Sequence, residues 1–229
     1  RTFRDSADGL WNEYSVEDVC SAAAWDKNPT LVNDFYNMRR IEAMNAQPNK
    51  AHTALAAAQE LFDIQIITTN IDDLHERAGS SNVLHLHGSL FKARSSNPNL
   101  DWAGFSADPA VNTFKTYPVG REGITQNDMA EDGFPLRPDI VFFDEAVPLI
   151  VDAEKLVQAC DALVVVGTSL TVYPAAGLVW QANAAPVFYI DPSTDPDAGL
   201  SFPCRFYNTR ASIGVPQVLH QLKMIFSLH

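Results

Sequence analysis

The stretch "NVLHLHG" (82–88) sets His85 and His87 two positions apart, and "TTNIDD" (68–73) sets Asn70 two positions before Asp72. On an extended strand, residues i and i+2 share a face, so the two imidazoles admit three uses. They form part of a metal site, although such sites usually take three or four ligands and only His75 is near in sequence. One of them is a general base, because an imidazole titrating near ~6.5 accepts a proton at neutral pH. Or both are hydrogen-bonded structural histidines. Asn70 and Asp72 follow an apolar run, at the carboxyl end of a strand, where open α/β sheets hold their ligands. A third set is Gly167-Thr168-Ser169, which follows "ALVVV" and precedes a helical pattern, with Asp191 ending the next apolar run. Small residues there let backbone N–H groups approach a phosphate or ribose, and a carboxylate in the place of Asp191 suits ribose hydroxyls. Without a complete GxGxxG, a tight turn that binds nothing fits the same residues.

These groups need a scaffold. "HTALAAAQELF" (52–62) has helical spacing of apolar residues, and "DIQIITT" (63–69) reads as a buried strand. "NIDDLHERAG" begins acidic and ends at Gly79, as a short helix would, and "NVLHLH" (82–87) reads as a second short strand. Residues 89–136 mix Gly, Pro, Asn, Asp and Ser with little periodicity and read as an irregular insertion. Regular structure resumes with a strand at "RPDIVFFDE" (137–145) and a helix around 150–160. The strand "ALVVVG" (162–167), the helix "YPAAGLVWQANAA" (173–185) and the strand "PVFYID" (186–191) follow. Strands alternating with helices predict an α/β fold with a parallel sheet.

The chain has 229 residues, 46% of them hydrophobic, enough to bury the core of one large domain or of a domain carrying a small lobe. Its net charge of −12, from 16 basic and 28 acidic residues, argues against binding a phosphate backbone, so no nucleic-acid partner is expected. No apolar run reaches the ~18 residues of a membrane span, so no membrane is expected either. The stretch "RTFRDSADGLW" is expected not to be a signal peptide. Cys20, Cys160 and Cys204 are scattered, which fits a reducing cytoplasm better than a disulfide framework, and the expected location is cytoplasmic.

"TTNIDDLHERAGSSNVLHLHG" resembles the sirtuin signature TQNIDxLHxRAG…HG. "RPDIVFFDE" resembles that family's RPxVVxFGE, "GTSLTVYPAAG" its GTSLxVxPAA, and "TFR" (2–4) the end of its GAGxSxxSGIxxFR segment. The four blocks occur in order and cover the chain from Arg1 into its C-terminal helix. The resemblance implies an α/β fold, with a Rossmann-like parallel sheet, helices on both its faces, and a small lobe formed by two insertions. Residues 1–17, 51–88 and 137–229 would form the NAD-binding domain, and 18–50 with 89–136 the lobe. The implied activity is NAD-dependent removal of acyl groups from acyl-lysine-containing proteins, yielding nicotinamide and O-acyl-ADP-ribose. The alternatives are a mono-ADP-ribosyltransferase or NAD glycohydrolase on the same scaffold, or a non-catalytic binder of NAD or acyl-lysine. Carried over by position, His87 is the general base toward a ribose hydroxyl, with His85 its structural neighbour. Asn70 and Asp72 would hold the nicotinamide end, with Phe3 and Arg4 nearby. Gly167, Thr168 and Ser169 would contact the cofactor, Asp191 the adenosine ribose, and Ala211 with Ser212 the adenine. Val141, Phe143, Glu145, Val172 and Tyr173 would line the acyl-lysine tunnel and peptide cleft.

"LVNDFYNMRR" (31–40) carries the Tyr-x-x-Arg pair of the desuccinylase-type (class III) sirtuins, which include many bacterial members. Tyr36 and Arg39, at i and i+3, share a helical face, so hydroxyl and guanidinium can converge on one acyl carboxylate. Succinyl and malonyl groups are therefore expected substrates beside acetyl. The sequence also departs from the family. Sirtuin lobes usually hold zinc through two cysteine pairs, yet residues 89–136 contain no cysteine and "KARSSNPNLDW" (92–102) offers serines instead. No zinc and no other metal are expected, and the lobe is expected to pack around Trp102, Phe105 and Phe114. Thr69 stands where the family has Gln, and Asp144 where it has Gly. The first strand and GAGxS loop are expected upstream of Arg1 in a longer gene product, and NAD binding is expected to be poor without them.

Overall fold

The computed structural model describes residues 15–100, 115–192 and 202–226; Phe3, Arg4, Trp102, Phe105 and Phe114 lie outside them. In chain order the described elements are α1 (Val16–Val19), α2 (Ala22–Lys27), α3 (Pro29–Asn45), α4 (Lys50–Ala58), β1 (Ile66–Thr68), α5 (Leu74–Arg77), β2 (Val83–His85) and β3 (Gly88–Ser95). They continue with β4 (Thr116–Pro118), β5 (Leu136–Ile140), α6 (Ile150–Gln158), β6 (Leu163–Val166), a 3₁₀ helix (Ala175–Gln181), β7 (Val187–Asp191), β8 (Arg205–Asn208) and α7 (Ala211–Ile225). The chain divides into two units. One takes in Arg1–Asn45, Asn70–Asp72 and His87–Pro148; the other takes in Ala46–Thr69, Asp73–Leu86 and Leu149–His229.

The second unit is built on the parallel sheet β6-β7-β8. Period-two alternation along β7 sends Val187 and Tyr189 to one face, against Val157 of α6 and Val179 of the 3₁₀ helix. Phe188 and Ile190 face the other way, against Ala51 of α4 and Val215, Val218 and Leu222 of α7. Both faces are therefore covered by helices, which is why these strands read as continuous apolar runs. The strands β1 and β2 pair in parallel, Ile66 opposite Val83 and Thr68 opposite His85. The segment 173–185, expected as an α-helix, forms only the 3₁₀ turn Ala175–Gln181. Gly177 lies inside that turn, and Asn183 at φ 48° ends it before an α-helix can propagate.

In the first unit, Asn28 Oδ1 accepts the Leu31 N–H at 3.1 Å, and Pro29 opens α3, where a missing N–H costs nothing. Val32, Phe35, Tyr36 and Ala43 form the buried stripe of α3, packed on Val19, Trp25, Leu90, Ile140 and Phe142. The insertion expected to be irregular instead contains β3 and β4, which join β5 in an antiparallel sheet of order β4-β3-β5. Its periodicity is hidden because the buried run at the end of β3 is Ala93-Arg94-Ser95, so a charge occupies a core position. The strand expected at 137–145 is the shorter β5, and it runs antiparallel to β3.

The lobe has other means than metal thiolates to hold itself together. Ala93, Val119 and Ile124 pack with Tyr117 and Leu136. Ser95 Oγ donates to both carboxylate oxygens of Asp132, at 2.7 and 3.0 Å, and the Asn97 amide and Phe134 N–H donate to the same group. The Ser95 bond is the main cause that holds the Asp132 carboxyl below its ordinary range. Asn37 bridges α3 to Ile124, accepting its N–H at 2.8 Å and donating to its carbonyl at 2.9 Å. Among the described residues, no group of three or more His, Cys, Asp or Glu side chains could hold a metal, and no helix is long and apolar enough to cross a membrane.

Because the lobe's packing does not use thiolate ligands, purified protein should carry far less than about one zinc per chain, and a chelator should leave Tm unchanged. Elemental analysis near one equivalent, or a chelator-induced fall in Tm, contradicts this.

Candidate active site

His87 does not share a strand with His85. β2 ends at His85 and β3 begins at Gly88, so the same-face relation expected of an i, i+2 strand pair is absent. The chain turns at Leu86-His87, and Gly88 leaves that turn at a φ of 82°, which favours glycine. A Cβ at that position would lie inside the van der Waals contact distance of the Asp139 carbonyl oxygen, so only glycine lets the chain approach β5 here. His87 is consequently fixed through its backbone: the Val141 N–H donates to its carbonyl at 3.1 Å, and Gly88 pairs with Ile140. The Leu90 N–H donates to the Ile71 carbonyl at 2.8 Å, and Ile71 packs on the first unit's core. Asn70, Asp72 and His87 are thus anchored in one unit by two backbone bonds to and from β3 and its neighbour.

The segment after β5 is held from the inside by charge. Arg137 forks onto Glu145, Nη1 donating to Oε1 at 2.6 Å and Nη2 to Oε2 at 3.0 Å. Glu145 Oε2 also accepts the Phe142 N–H at 2.8 Å and Arg94 Nη2 at 3.3 Å. Arg137 gives Nη2 to the Ile140 carbonyl and lays its guanidinium 3.8 Å from the Phe142 ring centroid. Arg94, Arg137 and Asp139 are buried. Burial and the neighbouring Arg137 charge lower the Arg94 pKa to about 10, and burial pushes the Asp139 carboxyl up. Glu145, expected along the peptide cleft, therefore has its carboxylate committed to this network. Sequence reasoning missed Arg94 and Arg137; the only signal was the arginine that opens "RPDIV".

This network shapes a bend that presents Val141 and Phe143. Phe143 is 53% exposed, while its N–H donates to the Cys20 carbonyl at 2.8 Å and its own carbonyl accepts from Ala22. Asp144 sits at φ 72°, in the left-handed region. That conformation explains why glycine is suited to the position, and aspartate is among the side chains that tolerate it.

Tyr36 and Arg39 lie on the same turn of α3. The Tyr36 ring is buried, stacks on Phe142 at 5.9 Å, and its hydroxyl donates to Cys20 Sγ at 3.5 Å. Burial raises the Tyr36 pKa well above its ordinary value and raises that of Cys20, against which the Tyr36 hydrogen bond and the Arg39 charge act. The Arg39 guanidinium pairs with Glu42. Two cavities of about 260 and 220 Å³ flank Ile124 and Thr125 in the lobe, and none of the predicted site residues lines either of them.

In the second unit the carboxyl ends of the three parallel strands carry the expected nucleotide residues. Gly167 follows β6 at φ 60°, exposed, with open space where a Cβ would lie; its N–H donates to the Ile190 carbonyl at 2.9 Å. The Thr168 carbonyl accepts the Tyr189 hydroxyl at 2.7 Å, and Ser169 Oγ lies 2.8 Å from Thr171 Oγ1. Asp191 ends β7, paired with Asn208 of β8, and Ala211 and Ser212 open α7 directly after β8. Val172 and Tyr173 are exposed. A turn with a bare glycine, a carboxylate on the adjacent strand end and a helix start beyond it fit a nucleotide's phosphate, ribose and base.

A parallel sheet covered on both faces, with its polar residues at the strands' carboxyl ends, defines a nucleotide-binding α/β protein. Residues 1–174 match the family model described as Sir2 family. An "NAD-dependent protein deacylase" of Helicobacter pylori is 46% identical over 194 residues, 84% of this chain and 77% of that protein. One of Shigella flexneri is 37% identical over 230 residues, 97% of this chain and 78% of that protein. Among solved structures, a mutant Sir2 homologue in complex with ADP-ribose superposes with a TM-score of 0.80 at 32% identity, covering 100% of this chain and 87% of its own. A Sir2 homologue in complex with NAD gives 0.78 at 32% identity, covering 98% and 84%. The chain belongs to the Sir2 family of enzymes.

Removing the Glu145 carboxylate takes the carboxylate partner from buried Arg137 and leaves Arg94 with Asp139, so Glu145→Ala should cost about 3–5 kcal/mol in a denaturant titration. At Asp144 the sign reverses with the side chain: Asp144→Gly should leave stability unchanged or raised, while β-branched Asp144→Val should lose about 1–2 kcal/mol. Equal stabilities for the two variants contradict a left-handed residue there.

Proposed function

We propose that this enzyme removes acyl groups from lysine side chains of proteins at the expense of NAD, with acidic acyl groups such as succinyl and malonyl among its substrates beside acetyl. The observation that carries the reading is the anchoring of Asn70, Asp72 and His87 in one unit through the Leu90–Ile71 and Val141–His87 backbone bonds. The Sir2 relatives named for NAD-dependent deacylation support it.

Bound NAD supplies an ADP-ribosyl group, which takes the acyl group from lysine once nicotinamide has left. Gly167, Thr168 and Ser169 are the residues that would cradle its phosphates, Asp191 would accept from the adenosine ribose, and Ala211 with Ser212 would meet the adenine. Asn70 and Asp72 would hold the nicotinamide end. His87 would take a proton from a ribose hydroxyl, its main chain held by the Val141 N–H. Val141 and Phe143, in the bend closed by Glu145, would offer backbone and ring to the peptide.

The acidic-acyl preference rests on Tyr36 and Arg39. A succinyl carboxylate must leave water, and that is costly unless a cation receives it. Arg39 supplies a forked charged donor, already partnered by the carboxylate of Glu42. The substrate's carboxylate would take the place of Glu42 on the guanidinium. The Tyr36 hydroxyl would turn from the Cys20 sulfur, a weak acceptor, to a far better one.

His87→Ala should abolish deacylation of any acyl-lysine peptide, since a general base contributes roughly 100- to 10,000-fold; full activity in a folded His87→Ala protein contradicts the role. Arg39→Met should lower kcat/KM for succinyl-lysine about 10- to 150-fold, the value of hydrogen bonds to a charge, and spare acetyl-lysine. Glu42→Gln should raise succinyl turnover by releasing its competitor. Parallel losses for both acyl groups would place Arg39 in the scaffold.

A further inference from the structure

The chain passes between the two units at 45/46, 69/70, 72/73, 86/87 and 148/149. The residues proposed to act on the cofactor's reactive end, Asn70, Asp72 and His87, each lie within two residues of such a crossing. On the second unit's side, the short helix α5 reaches the ends of these crossings with successive side chains. Arg77 Nη2 donates to the carbonyl of Ala46 at 2.7 Å, the first residue after the 45/46 crossing. Its Nη1 lies 3.5 Å from Oδ1 of Asp73, the first residue after 72/73. Glu76 Oε1 accepts His85 Nε2 at 2.7 Å, and His85 stands two positions before His87. Between His85 and His87, buried Leu86 gives its N–H to the Thr68 carbonyl at 2.9 Å, tying the 86/87 end to the 69/70 end. The His75 ring meets the His52 ring edge-on at 4.7 Å, which fixes α5 to α4.

Glu76 and Arg77 have no part in the chemistry described above, and their side chains are 43% and 28% exposed. Pairs this open to water add little to global stability. Each instead bonds to residues beside a crossing, Glu76 to His85 and Arg77 to Ala46 and Asp73. We propose that Glu76 and Arg77 are positioning residues of the reaction, Glu76 acting through His85 on the placement of His87, and Arg77 acting through Asp73 and Ala46 on the placement of Asn70 and Asp72. The inference rests on the roles proposed for those three residues. It also gives His85 a reason to be histidine: its ring nitrogen reaches a carboxylate nine residues back, across the turn from α5 to β2.

The two residues have separable consequences. Weakening the hold on His87 affects proton transfer and so kcat; weakening the hold on Asn70 and Asp72 affects the cofactor and so its KM. In the full-length protein with an acyl-lysine peptide, Glu76→Ala should lower kcat about tenfold with KM for NAD within about twofold. That lies below the ~100-fold that an ångström of misplacement can cost, because a half-open pair is partly screened. Glu76→Gln, whose amide oxygen still accepts from His85, should restore most of it. Arg77→Met should raise KM for NAD about tenfold with the smaller effect on kcat, and Arg77→Lys, able to serve one partner at a time, should fall between. Hydrogen exchange supplies a readout independent of activity: both truncations should speed exchange in 68–73 and 85–88, with Tm within about 2 °C of wild type. Wild-type exchange in those segments overturns the proposal. So does a loss of activity that merely follows Tm and is not rescued by Glu76→Gln. A fully active His87→Ala protein would remove the functional reading alone; the exchange pattern decides the positioning claim in either case.

Discussion

One carboxylate organises the first unit. Glu145 receives a two-pronged bond from Arg137, a third donor from Arg94 and the N–H of Phe142, all within or beside buried surface. Taking such charges out of water is expensive, and it is tolerable only because the donors are matched in number and geometry. The consequence is conformational. With Glu145 turned inward, the chain from Ile140 to Glu145 must bend, Asp144 takes a left-handed conformation, and Phe143 is turned outward. The same bend brings the Val141 N–H to the His87 carbonyl and the Phe143 N–H to the Cys20 carbonyl. His87, the bend at 141–145 and the segment around Cys20, whose sulfur accepts from Tyr36, are thereby registered against one another beside a single ion-pair cluster.

In the second unit the strands β6 and β7 and the helices α4 and α6 were legible in the sequence, whereas β8 was not and the helix expected at 173–185 is a 3₁₀ turn. β6 and β7 are apolar along their whole length because both faces are covered, and an uninterrupted apolar run is what such burial looks like in one dimension. Asp191 and Gly167 could be placed at strand ends because the α/β alternation fixes where those ends are; Ala211 and Ser212 came from the family resemblance alone. The first unit was less readable for a definite reason. Its sheet buries Arg94, Ser95, Arg137 and Asp139, so hydropathy sees no strand where β3 runs, and what remains looks like loop. Nor could period-two reasoning place His87, since the strand ends at His85 and the chain turns at Leu86-His87. The family motifs contained Gly88, Arg137 and Glu145 without giving Gly88 or Arg137 a role, and the structure supplies the physical account: Gly88 for close approach, Arg137 and Glu145 for each other.

Loss of the zinc thiols also becomes intelligible in these terms. A metal cross-links loops that bury too little apolar surface to hold themselves. Here the Ser95–Asp132 and Asn37–Ile124 hydrogen bonds join the same kinds of segment, strand end to turn and helix to loop, over the small Ala93–Val119–Ile124 cluster. Arg40 adds to this: wholly buried on α3, it donates to the Leu90 carbonyl and to Asn37, and burial lowers its pKa to about 10.

On the proposed reading, an acyl group passes from lysine to the ADP-ribose part of NAD. Mass spectrometry of the products from NAD and a succinyl-lysine peptide tests this directly, because each alternative chemistry leaves a different mass. Free lysine peptide, nicotinamide and O-succinyl-ADP-ribose are expected in equal amounts. Nicotinamide accompanied by free ADP-ribose or an ADP-ribosylated peptide, with the succinyl group still on lysine, would contradict it.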